Sequence, residues 1–499
     1  MILGVICEQS MMLKAIIEIV KPVGVEGSLD VEISGVAYDS RQVKPGMLFV
    51  AIKGEKCDGN LFVDEAIERG AVAVVSERKE LGRRDASHIH VHSARQALAE
   101  IAAIFYNHPS RRLDTVGITG TNGKTTIAYM LRDILDRAGR RPGLISTVSY
   151  DMGMRSLPAA RTTPESLDLQ SMLAKMIEAD CQSAVMEVSS HALVQKRVWG
   201  VDFNVGVFTN LSQDHLDYHE SMEQYFSAKS LLFNGSQNMG KSMDAVINID
   251  DEWGRRLSQA GGRWKQVLTY GESSDACVRG ENVRQREGGS DFGLVTADTR
   301  AEIELNMIGR FNVSNALAAI AAALALGIDI ETIAAALRDF KSAPGRLEEV
   351  PNQRGLRIFI DYAHTDQALR SVLETLRQAA RKRLICVFGC GGDRDQDKRK
   401  LMGAVAARHA DFSVITSDNP RKEDPRAIIR QIEQGFSADK HYRVVEDREQ
   451  AIAAALDEAE EGDLVLIAGK GHEAYQEFAD TIVPFDDCEV VRSLLDEEK

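Results

Sequence analysis

The stretch that decides the fold is Thr115–Thr126, which reads TVGITGTNGKTT. An apolar β-run leads into a glycine turn, and the helical stretch KTTIAYMLRDILDRAG follows the turn. Backbone N–H groups between Gly120 and Gly123 can point at phosphate oxygens, where the helix dipole favours negative charge. Lys124 would add a positive charge near a transferred phosphate, and the Thr125 hydroxyl could coordinate Mg²⁺.

The loop departs from the strict GxxxxGK[ST] pattern, because Ile118 stands five positions before Gly123. A simple tight turn is the alternative interpretation. Strand, glycines, lysine, two threonines and helix occur together, so the stretch predicts a phosphate-binding loop.

The surrounding chain has the sequence pattern of an α/β protein. Its 499 residues correspond to about three domains of ordinary size. Residues 94–342 alternate apolar β-runs with helices, which predicts a P-loop-type central domain with a mostly parallel sheet. Residues 1–93 carry short β-rich runs and one apparent helix at Phe62–Arg69, which indicates a small α/β N-terminal domain. Residues 343–499 begin a new alternation, with helices at Gln367–Ala380 and near Lys400–Ala410 and Pro425–Gly435, and predict a Rossmann-like α/β domain.

Composition and charge exclude several classes of protein. Sixty basic and 75 acidic side chains give a net charge of −15, which argues against nucleic-acid binding through a basic surface but not against an anionic ligand. The N-terminus lacks the pattern of a signal peptide, and Ala316–Ile328 reads as a buried helix rather than a membrane span. Seven cysteines form no CxxC pair, and Cys386 and Cys390 read as small buried hydrophobes. We therefore expect a cytoplasmic protein with no membrane span and no nucleic-acid partner. A monomer is expected as well, although composition does not bear on it.

Beyond the loop, a series of further motifs resembles the Mur ligases. In order they are DSR (39–41), RTTPES (161–166), MEVSSHALVQKRV (186–198), TNLSQDHLDYH (209–219), FNVSNALAA (311–319), GRLE (345–348), DYAH (361–364) and DNPR (418–421). The resemblance runs through all three domains. Within that family, DSR and DNPR resemble the motifs of the branch that adds the third peptide residue to UDP-N-acetylmuramoyl-dipeptide. That reaction belongs to peptidoglycan precursor biosynthesis.

This resemblance implies an ATP-dependent ligase that activates a carboxylate as an acyl phosphate, which an amine then attacks. ATP-binding roles are implied for Gly120, Thr121, Asn122, Gly123, Lys124, Thr125, Thr126, Asn312, Arg346 and Asp361. Catalytic roles are implied for Lys124, Glu187, His215 and Lys229. Mg²⁺ would be held by Thr125 and Glu187, a second magnesium site would use His215, and a carbamate that CO₂ forms on Lys229 would be a further metal ligand.

The residues alone favour plainer roles for several of these positions. Lys229 would be a surface lysine, Asn312 a helix cap, and Arg346 and Asp361 a surface ion pair. A carbamate on Lys229 requires a neutral amine, and therefore a depressed pKa.

The first substrate is expected to be a UDP-muramoyl-dipeptide. The resemblance implies contacts to it from Tyr38, Ser40, Thr162, Thr163, Ser189, Gln195 and Arg197, and also from the Glu55–Cys57 stretch. Hydroxyl groups can donate to phosphate or carboxylate oxygens, and Arg197 supplies a fork for an anion.

The incoming amino acid is the sharpest choice that the sequence permits. DNPR follows the β-run FSVITS, at the carboxyl end of a strand, where open α/β sheets bind ligands. Arg421 could bind a carboxylate through two parallel hydrogen bonds, and meso-diaminopimelate has a distal carboxylate whereas L-lysine has none. The resemblance implies a diaminopimelate site made of Arg394, Asp418, Asn419, Pro420, Arg421, Gly469 and Glu473. The plainer alternative for DNPRKEDP is a proline-containing turn with solvated charges.

Other functions stay open at this point. They are an L-lysine-adding ligase of the same family, a folylpolyglutamate synthase-like ligase, and a phosphate-binding regulatory NTPase. The run HIHVH places His88, His90 and His92 on one face of a strand and invites a zinc interpretation, but surface histidines are the simpler expectation.

Overall fold

The computed structural model describes residues 10–54, 57–81, 85–214, 216–235, 242–437 and 441–496. His215, together with Glu55 and Lys56 of the predicted uridine stretch, lies outside the described residues. Contacts divide the chain into two compact units, 1–279 with 317–333, and 280–316 with 334–499. The proposed division at 93 and 342 stays a prediction.

The first unit holds a sheet in its N-terminal part. Its strands, in spatial order, are Gly24–Glu26, Ser87–His90, Ala73–Ser76, Met47–Val50 and Gly35–Ala37, and Met11–Met12 pairs separately with Glu32–Ile33. Helices and 3-10 turns accompany these strands at Leu13–Val20, Ser40–Gln42, Gly59–Phe62, Val63–Glu68 and Ala94–Phe105.

A helix at Leu13–Val20, which buries Leu13 and Ile16, was not expected in this part. The predicted helix Phe62–Arg69 forms as Val63–Glu68, directly after a 3-10 turn at Gly59–Phe62. His88 is also no surface residue, because it is 2% exposed and its Nε2 lies 3.0 Å from the Ser76 Oγ. The described residues contain no cluster of three metal-ligating side chains, so the zinc interpretation gains no support.

The larger sheet of the first unit contains the strand of the phosphate loop. In spatial order its strands are Ser156–Pro158, Ser149–Asp151, Pro142–Ile145, Ser183–Glu187, Asp114–Thr119, Val205–Phe208, Met243–Asn248 and Trp264–Gly271, and Val278–Arg286 begins beside the last. The pairs from Pro142–Ile145 onward are parallel. Helices occur at Pro109–Arg112 (a 3-10 turn), Lys124–Arg137, Ser166–Glu178, Ser190–Val194, Leu216–His219, Met222–Ser230 and Glu252–Ala260.

The strand Asp114–Thr119 is central and covered on both faces, which explains why its apolar residues run continuously rather than alternating. A Cβ on Gly117 would lie 2.7 Å from the Phe203 ring, so this position needs glycine.

The second unit is built on another largely parallel sheet. Its strands, in spatial order, are Glu348–Val350, Arg357–Asp361, Leu464–Ala468, Leu384–Phe388, Phe412–Ile415 and Tyr442–Val444, with hairpins at Gly289–Val295 with Arg300–Leu305 and at Tyr475–Phe478 with Thr481–Pro484. Helices occur at Asp366–Ala379, Asp397–His409, Pro425–Glu433, Arg448–Glu458 and Asp487–Asp496. The α/β class with several largely parallel sheets is therefore confirmed, and Cys386 and Cys390 are buried as expected.

Two helices, Arg310–Ala325 and Ile330–Asp339, have residues in both units. The predicted buried helix at Ala316–Ile328 therefore starts earlier and ends before Gly327, whose φ of +76° breaks the helix. Its alanines from Ala318 to Ala323 are fully buried. Among the described residues, no helix is long and apolar enough to cross a membrane.

Candidate functional site

The phosphate loop is held open by two glycines in left-handed conformations. Gly120 has a φ of +146°, and a Cβ there would lie 1.8 Å from the Thr209 Oγ1. Gly123 has a φ of +87° and precedes the helix Lys124–Arg137 without a capping side chain. The positive end of that helix dipole therefore lies at the loop, which is the arrangement for anion binding predicted from the sequence.

Two backbone N–H groups of the phosphate loop donate to Asn210, in a neighbouring loop. The backbone N–H of Thr121 donates to the Asn210 carbonyl at 2.9 Å, and that of Asn122 donates to the Asn210 Oδ1 at 2.9 Å. The Thr209 hydroxyl donates in return to the Asn122 carbonyl at 2.7 Å. The backbone N–H groups of Thr121 and Asn122 therefore already have acceptors within the protein.

Two lysines converge on one carbonyl of this loop. The Lys124 Nζ donates to Gly120 O at 2.9 Å and to Thr121 O at 2.8 Å, and the Lys229 Nζ donates to Gly120 O at 2.8 Å. Lys229 is 2% exposed and lies over the Tyr225 ring at 4.5 Å, so it is not the surface lysine that the residues alone suggested. Burial, and then the charge of Lys124, hold the pKa of Lys229 well below its usual range.

Glu187 stands at the end of its strand and is 1% exposed. Its Oε1 accepts from the Thr125 hydroxyl and from the Thr147 backbone N–H, both at 2.9 Å, and its Oε2 accepts from the Thr147 hydroxyl at 3.1 Å. Hydroxyl and carboxylate oxygens are the ligands that Mg²⁺ prefers, and with few protein ligands the ion keeps phosphate oxygens and waters. Thr125 and Glu187 fit such a site. The sequence did not single out Thr147, which no motif contains.

The hydroxyls predicted to bind the muramoyl peptide lie next to Glu187. The Thr163 Oγ1 donates to the Glu187 carbonyl at 2.8 Å and accepts from the Ser189 N–H at 3.1 Å. The Thr162 Oγ1 lies 3.2 Å from the Thr147 Oγ1. The predicted peptide and magnesium residues are thereby brought together.

Arg197 is oriented by three partners. It donates to the Thr163 carbonyl at 3.0 Å and to the Gln195 Oε1 at 2.7 Å, and its Nε lies 2.9 Å from a Glu165 carboxylate oxygen. Glu165 is buried and also pairs with Arg95 and Arg161. A lone glutamate in RTTPES carries no local signal for this role, and we did not predict it.

The two predicted uridine-side residues have partners of their own. The Tyr38 hydroxyl donates to the Asp168 Oδ2 at 2.6 Å, and burial followed by the charge of Asp168 raises the pKa of Tyr38. The Ser40 hydroxyl donates to the Glu65 Oε2 at 3.0 Å. Their proposed contact with the nucleotide stays a prediction.

In the second unit, the predicted nucleotide residues are ordered by local contacts. The Asn312 amide donates to the Ile308 carbonyl at 2.9 Å. The Arg346 guanidinium stacks on the Tyr362 ring at 4.5 Å. Asp361 is buried rather than part of a surface pair, and it accepts from the N–H groups of Leu347 and Ala363, both at 2.8 Å. Burial raises the pKa of Asp361, against the opposing effects of Arg346 and those two donors.

The predicted diaminopimelate residues gather at the carboxyl ends of adjacent parallel strands. Asn419 is central, since its Nδ2 donates to the Glu473 Oε2 at 2.9 Å and its Oδ1 accepts from the Lys470 Nζ at 3.1 Å. Gly469 has a φ of +114°, and a Cβ there would lie 2.7 Å from an Asp418 carboxylate oxygen. A Cβ on Gly392 would lie 1.9 Å from the Pro420 carbonyl oxygen. The DNPR loop is thus packed between two glycine turns, which the solvated-turn alternative does not explain.

Two residues of this set differ in their surroundings. The Arg421 Nε donates to the Glu477 Oε2 at 2.8 Å, and its Nη1 donates to the Gly392 carbonyl at 2.8 Å. Arg394 is exposed and has no hydrogen bond within the described ranges.

Two buried arginines of the second unit, Arg399 and Arg448, were not predicted from the sequence. Arg399 is 0% exposed, donates to both carboxylate oxygens of Glu423 at 2.8 Å and to the Gly391 carbonyl at 3.2 Å, and so joins Gly391 to the segment after DNPR. Arg448 is also 0% exposed, donates to both oxygens of Asp487 at 2.7 Å, and reaches the Ala468 carbonyl at 3.1 Å. Arginines in helical stretches usually lie on the surface, and only their distant partners explain their burial.

Comparison with known proteins defines the class of this protein, because three family descriptions match the sequence. They are "Mur ligase family, catalytic domain" at residues 32–106, "Mur ligase middle domain" at residues 118–323, and "Mur ligase, glutamate ligase domain" at residues 345–471. The chain belongs to the Mur ligase family of ATP-dependent, amide-bond-forming ligases.

Particular relatives are similar over nearly the whole chain. The chain is 46% identical to the UDP-N-acetylmuramoyl-L-alanyl-D-glutamate–2,6-diaminopimelate ligase of Caldanaerobacter subterraneus subsp. tengcongensis, over 95% of this chain and 97% of that protein. It is also 46% identical to the protein of the same name from Geobacillus kaustophilus, over 93% of this chain and 95% of the relative. A solved structure of a ligase of that name is 32% identical, with a TM-score of 0.70 over 98% of this chain and 99% of the other.

Proposed function

We propose that this chain adds meso-2,6-diaminopimelate to UDP-N-acetylmuramoyl-L-alanyl-D-glutamate, with ATP, in peptidoglycan precursor synthesis. The observation that carries the proposal is 46% identity, over 95% of the chain, to a relative named for that reaction. The cluster of Asp418, Asn419, Arg421 and Glu473 at one sheet edge supports it, because those residues offer a cation and an anion to an amino acid.

The reaction consists of two transfers. The substrate carboxylate attacks the γ-phosphorus of ATP, ADP leaves, and an acyl phosphate forms. The neutral amine of the amino acid then attacks the acyl carbon, phosphate leaves, and the nitrogen loses a proton to give the amide. The protein contributes positioning and charge neutralisation, which fall to Lys124 and the helix start at Gly123.

Mg²⁺ would be held by Thr125 and Glu187, whose oxygens lie 2.9 Å apart. The ion supplies positive charge that offsets the charge of the nucleotide phosphates. We keep His215 as a candidate for a second magnesium site.

A carbamate on Lys229 is proposed because the residue has the required chemistry. Its amine is buried beside Lys124 and its pKa is held low, so the neutral form that reacts with CO₂ is favoured. The product would be an anion beside the phosphate loop, where it could serve as a ligand to Mg²⁺.

We further propose that residues 1–93 hold the UDP-sugar, 94–342 hold ATP and Mg²⁺, and 343–499 supply the amino acid, in a monomer that works in the cytoplasm, where nucleotide-activated precursors are available. Diaminopimelate is favoured over L-lysine because only diaminopimelate has a distal carboxylate that can accept a hydrogen bond from Arg421.

The test is phosphate release by the full chain with ATP, Mg²⁺ and UDP-N-acetylmuramoyl-L-alanyl-D-glutamate, with meso-diaminopimelate or L-lysine as the acceptor and mass analysis of the product. We expect phosphate release and an extended product with diaminopimelate. Equal or better turnover of lysine would favour the lysine-adding alternative. The proposal fails if neither amino acid stimulates phosphate release, or if phosphate is released without any acceptor.

A matched pair of arginine variants sharpens this test. Arg421→Ala should weaken diaminopimelate use far more than ATP binding, whereas Arg426→Ala, an exposed arginine paired with Glu446, should leave both unchanged.

A further inference from the structure

The hairpin Tyr475–Phe478 with Thr481–Pro484 is fastened to the DNPR loop. The Arg421 N–H donates to the Glu477 carbonyl at 3.0 Å, and the Glu477 N–H donates to the Asn419 Oδ1 at 3.0 Å. The Gln476 amide donates to the Asp418 carbonyl at 2.9 Å. The backbone of Glu477 is therefore positioned by the loop whose side chains we assign to the amino acid.

The side chain of Glu477 completes this attachment. Its Oε2 accepts from the Arg421 Nε at 2.8 Å, while the Gly392 carbonyl accepts from the Nη1 at 2.8 Å. The two side chains are only 20% and 35% exposed. Arg421 also has a φ of +51°, a conformation that a non-glycine residue keeps only where its surroundings hold it.

These contacts leave one nitrogen of Arg421 available. Within the described part of the chain, the Nη2 has no hydrogen-bond partner. A guanidinium can donate two parallel hydrogen bonds to a carboxylate from either of two edges. One edge consists of Nη2 and Nη1, and the other of Nη2 and Nε. Glu477 occupies the Nε half of one of these edges, so Nη2 is the nitrogen that a bound carboxylate would meet.

Glu477 is also connected to the proposed acceptor of the substrate ammonium. Asn419 receives the Glu477 N–H on its Oδ1 and donates through its Nδ2 to the Glu473 Oε2, which the Lys470 Nζ also reaches at 3.1 Å. The groups assigned to the two charges of the distal centre of the amino acid are thus held in one hydrogen-bonded network.

Resting on the proposed function, we propose that Glu477 is a positioning residue that sets amino-acid specificity. Its carboxylate holds the Arg421 guanidinium so that Nη2 meets the distal carboxylate of diaminopimelate. An exposed ion pair would contribute little, because it must order two flexible side chains. Here the backbone of Glu477 is already fixed by the loop, so the ordering cost is small and the contact serves orientation.

The test compares three variants of the full chain. Glu477→Ala removes the acceptor, Glu477→Gln keeps an amide oxygen that can accept from the Nε, and Asp480→Ala removes an exposed carboxylate from the tip of the same hairpin as a control. The measured quantities are KM and kcat for diaminopimelate at saturating ATP and UDP-muramoyl-dipeptide, KM for ATP, and the rate with L-lysine relative to that with diaminopimelate.

We expect Glu477→Ala to raise the KM for diaminopimelate about tenfold, which corresponds to the loss of one charge-assisted hydrogen bond. The KM for ATP should not change, and the preference over lysine should fall. Glu477→Gln should stay within about threefold of wild type, since a neutral acceptor still orients the guanidinium. Asp480→Ala should behave as wild type.

Several results would overturn the inference. They are an unchanged or lowered KM for diaminopimelate in Glu477→Ala, an equal loss in the Ala and Gln variants, or a parallel rise in the KM for ATP. If the wild-type chain shows no diaminopimelate-dependent phosphate release, the proposed function fails and the inference with it. If wild type is active and Glu477→Ala is indistinguishable from it, only the inference fails.

Discussion

The Lys229 Nζ lies 2.8 Å from the carbonyl oxygen of Gly120, inside the turn of the phosphate loop. A lysine from a helix more than 100 residues further along the chain is thus built into the loop that begins at the strand Asp114–Thr119. Because Lys124 donates to the same carbonyl, two cations share one acceptor, and the buried one is the more easily neutralised.

Replacement of Lys229 by Met should reduce ligase activity roughly 100-fold or more, because the proposed carbamate ligand to Mg²⁺ can no longer form. Isotope-labelled bicarbonate should give a carbamate signal in the wild-type protein but not in Lys229→Met. Lys265→Met, at an exposed lysine, is the control and should keep both the activity and the signal. A fully active Lys229→Met enzyme would contradict the assigned role.

Gly120→Ala should abolish ATP binding at concentrations that saturate wild type. The new Cβ would lie 1.8 Å from the Thr209 Oγ1 at a φ of +146°, so the loop must move, at a cost of about 1–3 kcal/mol from the backbone alone. Calorimetric titration with ATP and thermal unfolding measure the two effects. Gly139→Ala, with a φ of +74° and no atom near its Cβ, should destabilise the fold by about 1 kcal/mol and leave ATP binding intact. Normal ATP binding by Gly120→Ala would refute this account of the loop.

His88 should make the protein less stable in mild acid. Burial lowers its pKa below the usual 6.5, so the unfolded chain takes up the proton first, and stability that is present above about pH 6.5 is lost as the pH falls below it. His88→Gln should flatten this part of the stability profile, measured by urea unfolding across that range. The exposed His92→Gln should keep the wild-type profile, and an unchanged profile in His88→Gln would show that another group is responsible.

Asp487→Asn should destabilise the protein by about 3–5 kcal/mol, because it leaves the fully buried Arg448 charge without its counter-ion. Urea unfolding of the full chain measures the loss. Arg426→Ala, which breaks an exposed pair, should cause no measurable change. A loss below about 1 kcal/mol in Asp487→Asn would mean that the pair does not organise the sheet edge.

The elements of the fold that could be predicted are those indicated by sequence patterns over a few neighbouring residues. The strand, turn and helix around Gly120 and Gly123 were predictable because apolar runs, glycines and a helical period all lie within about 25 residues. The helix expected at Gln367–Ala380 forms at Asp366–Ala379 for the same reason. Leu13–Val20 was missed because it is only eight residues long and follows other apolar residues near the N-terminus.

The candidate site was predictable only where family motifs contain its residues. Glu187 and Arg421 were named in this way, although their contacts were not. Glu165, Arg399 and Glu477 were missed, because a single charged residue in a helix or loop has no local signal that separates a buried partner from a solvated one.

By itself, the sequence determined the α/β class, the order of the motifs and therefore the family, since these depend on residue types and on spacing along the chain. Tertiary structure alone decided that Lys229 is buried against Gly120 and that Arg421 is held by Glu477, 56 residues away. The physical reason is separation along the chain. Propensity and periodicity act over a few residues, whereas burial, pKa and the orientation of a charge depend on whichever distant segments the sheet topology brings together.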